Sequence, residues 1–95
     1  MAKVYFPKMH IKVPASKPHP ENTEYKVSIG GEDWGGNRHP VMKVQMVYDG
    51  KVAGRRSPSF PIGTDDFERV QKAWEKLWTK YQDDNNEIVI DDMED

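Results

Sequence analysis

The stretch that decides the fold is residues 41–53, VMKVQMVYDGKVA. Apolar residues occupy alternate positions from Met42 to Tyr48, with Lys43 and Gln45 between them, which is the period of a strand with one buried face. Asp49-Gly50 follows directly and favours a type I′ turn, because both central residues of that turn take a positive φ. The sequence therefore predicts a β-hairpin whose return strand begins at residue 51 and can continue through residues 54–62 as an irregular edge.

The segments before this hairpin predict further strands and two loops. Residues 24–29 alternate in the same way, whereas Pro7 restricts residues 1–13 to an edge strand or an extended arm. Three prolines predict a loop over residues 14–23, the first place to expect mobility. Four glycines, counting Gly30, predict a second loop over residues 31–40 that presents Trp34.

One long helix is predicted after residue 63. Thr64 is a suitable N-cap, and Asp65 and Asp66 lie in the first turn, where the helix dipole favours acidic side chains. A single apolar stripe follows at helical spacing. The stripe consists of Phe67, Val70, Trp74, Leu77, Trp78 and Tyr81.

These elements predict an α+β fold, an antiparallel β-sheet of about four strands packed by one C-terminal amphipathic helix, in a single domain over residues 1–81. The stripe presents more apolar surface than one small sheet is expected to cover. We expect it either to pair with a second copy in a homodimer or to be covered by the N-terminal arm.

Charge is divided unevenly along the chain. Residues 82–95 hold seven acidic side chains and no basic one, so their net charge is −7. Residues 1–81 hold all 14 lysines and arginines against nine acids, which gives +5. We expect the acidic segment to be a disordered tail, either a solubilising end or a peptide that occupies a basic groove and docks partner proteins.

Most kinds of catalytic chemistry lack candidate residues. The chain has no cysteine, and its three histidines are scattered, without the spacing of a metal site or a general base. The glycines of residues 30–36 precede a strand, so they do not form a phosphate-cradling loop ahead of a helix. The sequence predicts no enzyme, no metal and no cofactor.

Basic and aromatic side chains at strand and loop positions favour binding of single-stranded nucleic acid, DNA or RNA. Tyr25 and Tyr48 lie on the apolar faces of their strands and are predicted in the core, as are the two tryptophans of the helix. Trp34 either stacks on a base or tucks into the core. The candidate binding residues are Lys26, Trp34, Arg38, Lys43, Gln45, Lys51, Arg55, Arg56 and Phe60.

The order of these features resembles the positive-cofactor-four family of single-stranded-DNA-binding proteins. The resemblance covers residues 24–81: the hairpin, the basic segment at residues 51–56, and the run from residue 60 into the helix. It implies a curved sheet that grips single strands as a dimer, with Lys43 and Gln45 on the binding sheet and Arg55 and Arg56 in the basic segment. The acidic end is similar to that of bacterial and phage single-strand-binding proteins.

Two functions remain from the sequence. The first is a non-enzymatic protein that binds single-stranded nucleic acid and whose acidic tail regulates binding or docks a protein partner. The second is a protein-interaction module, such as a small phage-type inhibitor of a host enzyme, in which the tail mimics nucleic acid. Residues 1–7 lack the apolar stretch of a signal peptide, and the chain has no long apolar run, so we expect a cytoplasmic protein without a membrane partner.

Overall fold

The computed structural model describes the backbone of residues 4–94 and the side chains of residues 4–83. It contains an antiparallel sheet of four strands in the order β1-β2-β3-β4 and one helix, α1. The strands are β1 (Tyr5–Pro14), β2 (Thr23–Trp34), β3 (Asn37–Tyr48) and β4 (Lys51–Ala53), and α1 is Asp66–Glu94. The predicted α+β architecture is confirmed.

The turn between β3 and β4 has the conformation that the sequence predicts. Asp49 has a φ of 50° and Gly50 a φ of 81°, as a type I′ turn requires. β4 pairs only with the last three residues of β3 and ends at Ala53. The expected continuation through residues 54–62 is not a strand, because Pro58 and Pro61 cannot donate to a ladder.

The hairpin between β2 and β3 is longer than the sequence predicts. The predicted loop over residues 31–40 is wrong, because β2 and β3 stay paired from Thr23 opposite Tyr48 to Trp34 opposite Asn37. Only Gly35 and Gly36 form the turn, with φ values of 60° and 91°. A tight hairpin needs only two residues in its turn, and the two glycines supply them. The remaining residues of the segment therefore continue the ladder of β2 and β3.

β1 is an edge strand, as Pro7 predicts. Its pairing with β2 shifts register between Pro7 and Met9, so Lys8 occupies a β-bulge. This bulge lets β1 continue past the proline instead of ending there.

The core lies between α1 and one face of the sheet. Tyr25, Val27 and Met46 are fully buried there. Trp74 packs against this cluster, whereas Phe67 and Trp78 of the predicted stripe are partly exposed at its margins. The buried residues of the cluster are Val13, Tyr25, Val27, Ile29, Met46, Val70, Ala73, Leu77 and Tyr81.

Asp66 anchors the proline-rich loop to the start of the helix. Its buried carboxylate accepts hydrogen bonds from the Ser16 backbone N–H at 2.9 Å, the Tyr25 hydroxyl at 2.8 Å and Arg69 Nη2 at 2.6 Å. The Ser16 hydroxyl also donates to it. The loop is therefore tied to α1. Local sequence patterns do not predict this contact, because Ser16 and Asp66 are 50 residues apart.

The predicted acidic tail, residues 82–95, falls almost entirely outside the residues whose side chains are described. In the part of the chain that the structure describes, no helix is both long enough and apolar enough to cross a lipid bilayer.

Candidate nucleic-acid interface

The face of the sheet turned away from α1, called the open face below, carries a row of polar side chains. Lys26 lies between Tyr25 and Val27, which are buried under the helix, so its own side chain lies on the opposite face. Lys12 of β1 is directly opposite Lys26, and Lys26 is directly opposite Gln45 of β3. The row thus crosses three adjacent strands.

A depression of about 390 Å³ on the open face includes part of this row. Its polar lining comes from Lys26 and Gln45, and its other lining residues are mostly apolar or aromatic. The residues around it are Val4, Tyr5, Pro7, Lys26, Gln45 and Val52. The sheet therefore presents a trough with a cation and an amide beside a tyrosine ring.

Tyr5 lies across the open face, and its ring is fixed there. Its hydroxyl shares a hydrogen bond of 2.7 Å with Ser28 Oγ, and burial raises the pKa of this hydroxyl. The ammonium of Lys43 lies 4.7 Å from the ring centroid and forms an ion pair with Glu32. Lys43 thus contributes a positive charge to the open face, but Glu32 offsets it.

Trp34 ends β2 with its indole on the surface, where 53% of the residue is exposed. The indole N–H donates a 2.8 Å hydrogen bond to Glu32 Oε1, and the ring centroid lies 4.9 Å from that of His39. Hydrogen bonds from Lys43 and then from Trp34 lower the pKa of Glu32, which keeps it ionised and able to hold both partners. The ring of Trp34 is therefore exposed and is not packed into the core.

Four of the nine predicted residues share the open face. They are Lys26, Trp34, Lys43 and Gln45.

Arg38 lies on the other side of the β2–β3 hairpin. It pairs with Asp33 across the strands, and its Nε lies 3.1 Å from Asp33 Oδ1. Its guanidinium lies 3.9 Å from the ring centroid of Phe6. Because residues 38 and 39 are consecutive in β3, Arg38 and His39 point to opposite faces, so Arg38 is separated from the Trp34 cluster.

Phe60 packs against the core. Its ring stacks on Tyr25 at 5.0 Å between centroids and contacts Phe67 edge-on at 5.2 Å. The stacking partner of Phe60 is thus a buried tyrosine. Phe60 is therefore not part of the interface.

Two cations of the basic segment after β3 are on the helix side of the sheet. Lys51 is paired with Tyr48, and Arg56 lies 5.3 Å from the ring centroid of Tyr48, which packs against the core cluster. Lys51 and Arg56 are therefore not continuous with the row on the open face. Arg55 is exposed in the turn that follows β4 and does not belong to that row of strand residues.

Sequence reasoning missed Lys12 as a member of this surface, and it missed that the buried ring of Tyr5 lines the depression. The alternation of Met9, Ile11 and Val13 places Lys12 on the polar face, and that signal was present in the sequence. What the sequence lacked was the register that brings Lys12 opposite Lys26.

The described residues contain no group of three or more histidine and acidic side chains placed to hold a metal ion. Comparison of the chain with protein-family models, with curated proteins and with solved structures gives no match.

Proposed function

We propose that this protein binds single-stranded nucleic acid along the open face of its sheet. The observation that carries the proposal is the row of Lys12, Lys26 and Gln45 across three strands, on the face that the helix leaves uncovered. Lysines supply the phosphate contacts that dominate nucleic-acid affinity, and a glutamine amide offers both a donor and an acceptor to a base edge.

The cross-strand pair of lysines supports this choice of ligand. Like charges directly opposite each other destabilise an antiparallel pair of strands. Lys12 and Lys26 occupy such positions, and a phosphate placed between them would turn repulsion into two attractive contacts. This arrangement favours an anionic ligand over a merely solvated sheet face.

An aromatic ring at the surface supports single-stranded over double-stranded ligands. The exposed indole of Trp34 lies at the end of the sheet, whereas the ring of Tyr5 is buried beneath the trough. An unpaired base stacks on an exposed ring with about 1–3 kcal/mol, whereas the bases of a duplex are already stacked on one another. The interface we propose comprises Lys12, Lys26, Trp34, Lys43 and Gln45.

The test is a fluorescence-anisotropy titration with labelled oligo-dT at several salt concentrations. For Lys12→Ala/Lys26→Ala we expect weaker binding, with the slope of log K against log[salt] reduced in magnitude by about 1.4, since each single-strand phosphate contact contributes about 0.7. The fold should persist, because the substitution removes a like-charge pair.

The matched control is Lys72→Ala/Lys76→Ala, which removes the same charge from exposed positions of α1. Its binding should stay close to that of the unaltered protein. Equal losses in the two double variants would mean that only net charge matters, and absence of salt-sensitive oligo-dT binding in the unaltered protein would refute the proposal.

A protein-interaction module is the second candidate, and exposed apolar side chains favour it. Trp78 is 39% exposed and Met42 42% exposed, both on the side of the sheet that α1 packs against. Surface tryptophan and methionine are enriched in protein interfaces. If oligo-dT does not bind, recognition of a protein partner through these exposed side chains becomes the leading candidate.

A further inference from the structure

The trough on the open face holds hydrogen-bonding groups that no described residue uses. Lys26 of β2 and Gln45 of β3 lie directly opposite each other, and both line the trough. Both residues are half-buried. Within the described part of the chain, neither the ammonium of Lys26 nor the amide of Gln45 has a hydrogen-bond or ion-pair partner. These two groups are therefore available to a ligand that enters the trough.

The remaining walls of the trough are mostly apolar. Val4 and Val52 line it with exposed side chains, and the buried ring of Tyr5 lies beneath. Its volume of about 390 Å³ is near the lower end of the range for small-molecule sites, about 300–1,000 Å³. Apolar walls with a few polar groups favour a ligand with an apolar body and a polar edge. A single nucleobase has this character, because its ring faces are apolar and its edge forms hydrogen bonds.

The balance of donors and acceptors distinguishes between the bases. A lysine ammonium only donates, whereas a glutamine amide offers one donor group and one acceptor, so the pair presents two donor groups and one acceptor. The Watson–Crick edges of thymine, uracil and cytosine present the complement, two acceptors and one donor. The edge of guanine has two donors and one acceptor, and that of adenine has one of each. Pyrimidines therefore match the trough better than purines.

We propose that the trough binds one unpaired pyrimidine base with its Watson–Crick edge against Lys26 and Gln45. This inference rests on the proposed function and adds a preference among bases, which phosphate contacts cannot supply. The ammonium of Lys26 has three donors, so a contact with a phosphate beside Lys12 leaves donors for the base. Val4 and Val52 contact the apolar part of the ring.

The experiment compares four labelled strands of equal length by fluorescence anisotropy: oligo-dT, oligo-dC, oligo-dA and an oligo-dT methylated at N3 of every base. Methylation at N3 removes the donor of thymine and blocks its edge but leaves the phosphates unchanged. Oligo-dT and oligo-dC should bind at least about fivefold more tightly than the other two strands, since a good bidentate base contact discriminates by that much or more. Equal affinities for oligo-dT and its methylated form would overturn the proposal.

Variants test the role of Gln45. Gln45→Ala and Gln45→Met both remove the amide, and methionine keeps the length of the side chain. Each should lower the affinity for oligo-dT about fivefold and nearly abolish the difference between the plain and methylated strands. The slope of log K against log[salt] should stay the same, because neither substitution removes a charge.

The matched control is Gln71→Ala, which removes an amide from an exposed position of α1 and should bind both strands like the unaltered protein. A folded Gln45→Ala protein that keeps its preference for the plain strand would overturn the assignment of the amide. Salt-sensitive binding of all four strands with equal affinity would refute the pyrimidine site and leave the proposed function intact. Absence of salt-sensitive binding to any strand would refute both.

Discussion

At the scale of single residues, Asp66 is the clearest case of a buried charge that the fold must satisfy. Burial alone would raise the pKa of its carboxyl, but hydrogen bonds from Ser16, Tyr25 and Arg69 outweigh this effect and hold the pKa well below its usual range. Burial and the neighbouring Asp66 raise the pKa of the Tyr25 hydroxyl, which therefore remains a donor. The ionised carboxylate joins the loop, the sheet and the helix.

We predict that Asp66→Asn lowers the free energy of unfolding at neutral pH by about 2–4 kcal/mol, because an amide removes the buried charge that pairs with Arg69 Nη2 and mismatches the donors around it. Asp65→Asn is the matched control, since Asp65 pairs with Arg69 at the surface, and should cost less than about 1 kcal/mol. Urea unfolding of both variants measures the difference.

The same carboxyl predicts a dependence on pH. Its folded pKa lies below the unfolded value of about 3.9, so its contribution is fully present above that value and is lost as the pH falls through the folded pKa. The unaltered protein should therefore lose stability below about pH 4, and the gap to Asp66→Asn should narrow there. A gap that stays constant on acidification would contradict the role of the ionised group.

At the scale of elements, the sequence predicted the strands, turns and helix start that depend on residues close together in the chain. The alternation of β2 and β3, the turn at Asp49-Gly50 and the helix start near Thr64 all depend on neighbours in sequence. The error over residues 31–40 arose because two glycine pairs compete for one turn. Gly35 and Gly36 take positive φ, whereas Gly30 and Gly31 stay in the strand. Propensity alone did not distinguish the pairs.

The β3–β4 turn gives a prediction at this scale. Gly50→Ala places a Cβ at a φ of 81° and should destabilise the protein by about 1–2 kcal/mol, because L-residues avoid this region. Gly54→Ala is the control, since a Cβ there meets open space and no positive φ is needed, so its effect should stay within about 0.5 kcal/mol. Urea midpoints measure both, and similar midpoints for the two variants would mean that the turn contributes little.

At the scale of the whole molecule, the sequence predicted the face of the sheet on which a side chain lies better than the neighbours that it has there. Lys26, Lys43 and Gln45 share the open face because alternation fixes the face of each side chain. Lys12 joins them only through the pairing of β1 with β2, and Arg56 is separated from them by its position over Tyr48. Register and the route of the chain after β4 are long-range properties that composition does not contain.

Charge segregation leads to the last prediction. The seven acids of residues 83–95 are tethered to a body of net charge +5. Under the proposed function, we expect them to compete with nucleic acid at high effective concentration. Replacing all seven by their amides should tighten oligo-dT binding at low salt and steepen its salt dependence, because each competing charge no longer has to be displaced.

The control for this prediction is Glu68→Gln/Glu75→Gln, which neutralises two exposed acids on α1. The gain per charge should be larger for the tail variant than for this control, since local competition adds to the effect of net charge. The two should converge at high salt, where the Debye length falls to about 3 Å at 1 M and tethered charges are screened. Equal gains in affinity per charge at low salt would contradict the prediction. They would mean that the tail acts only through the net charge of the protein and does not compete for the open face.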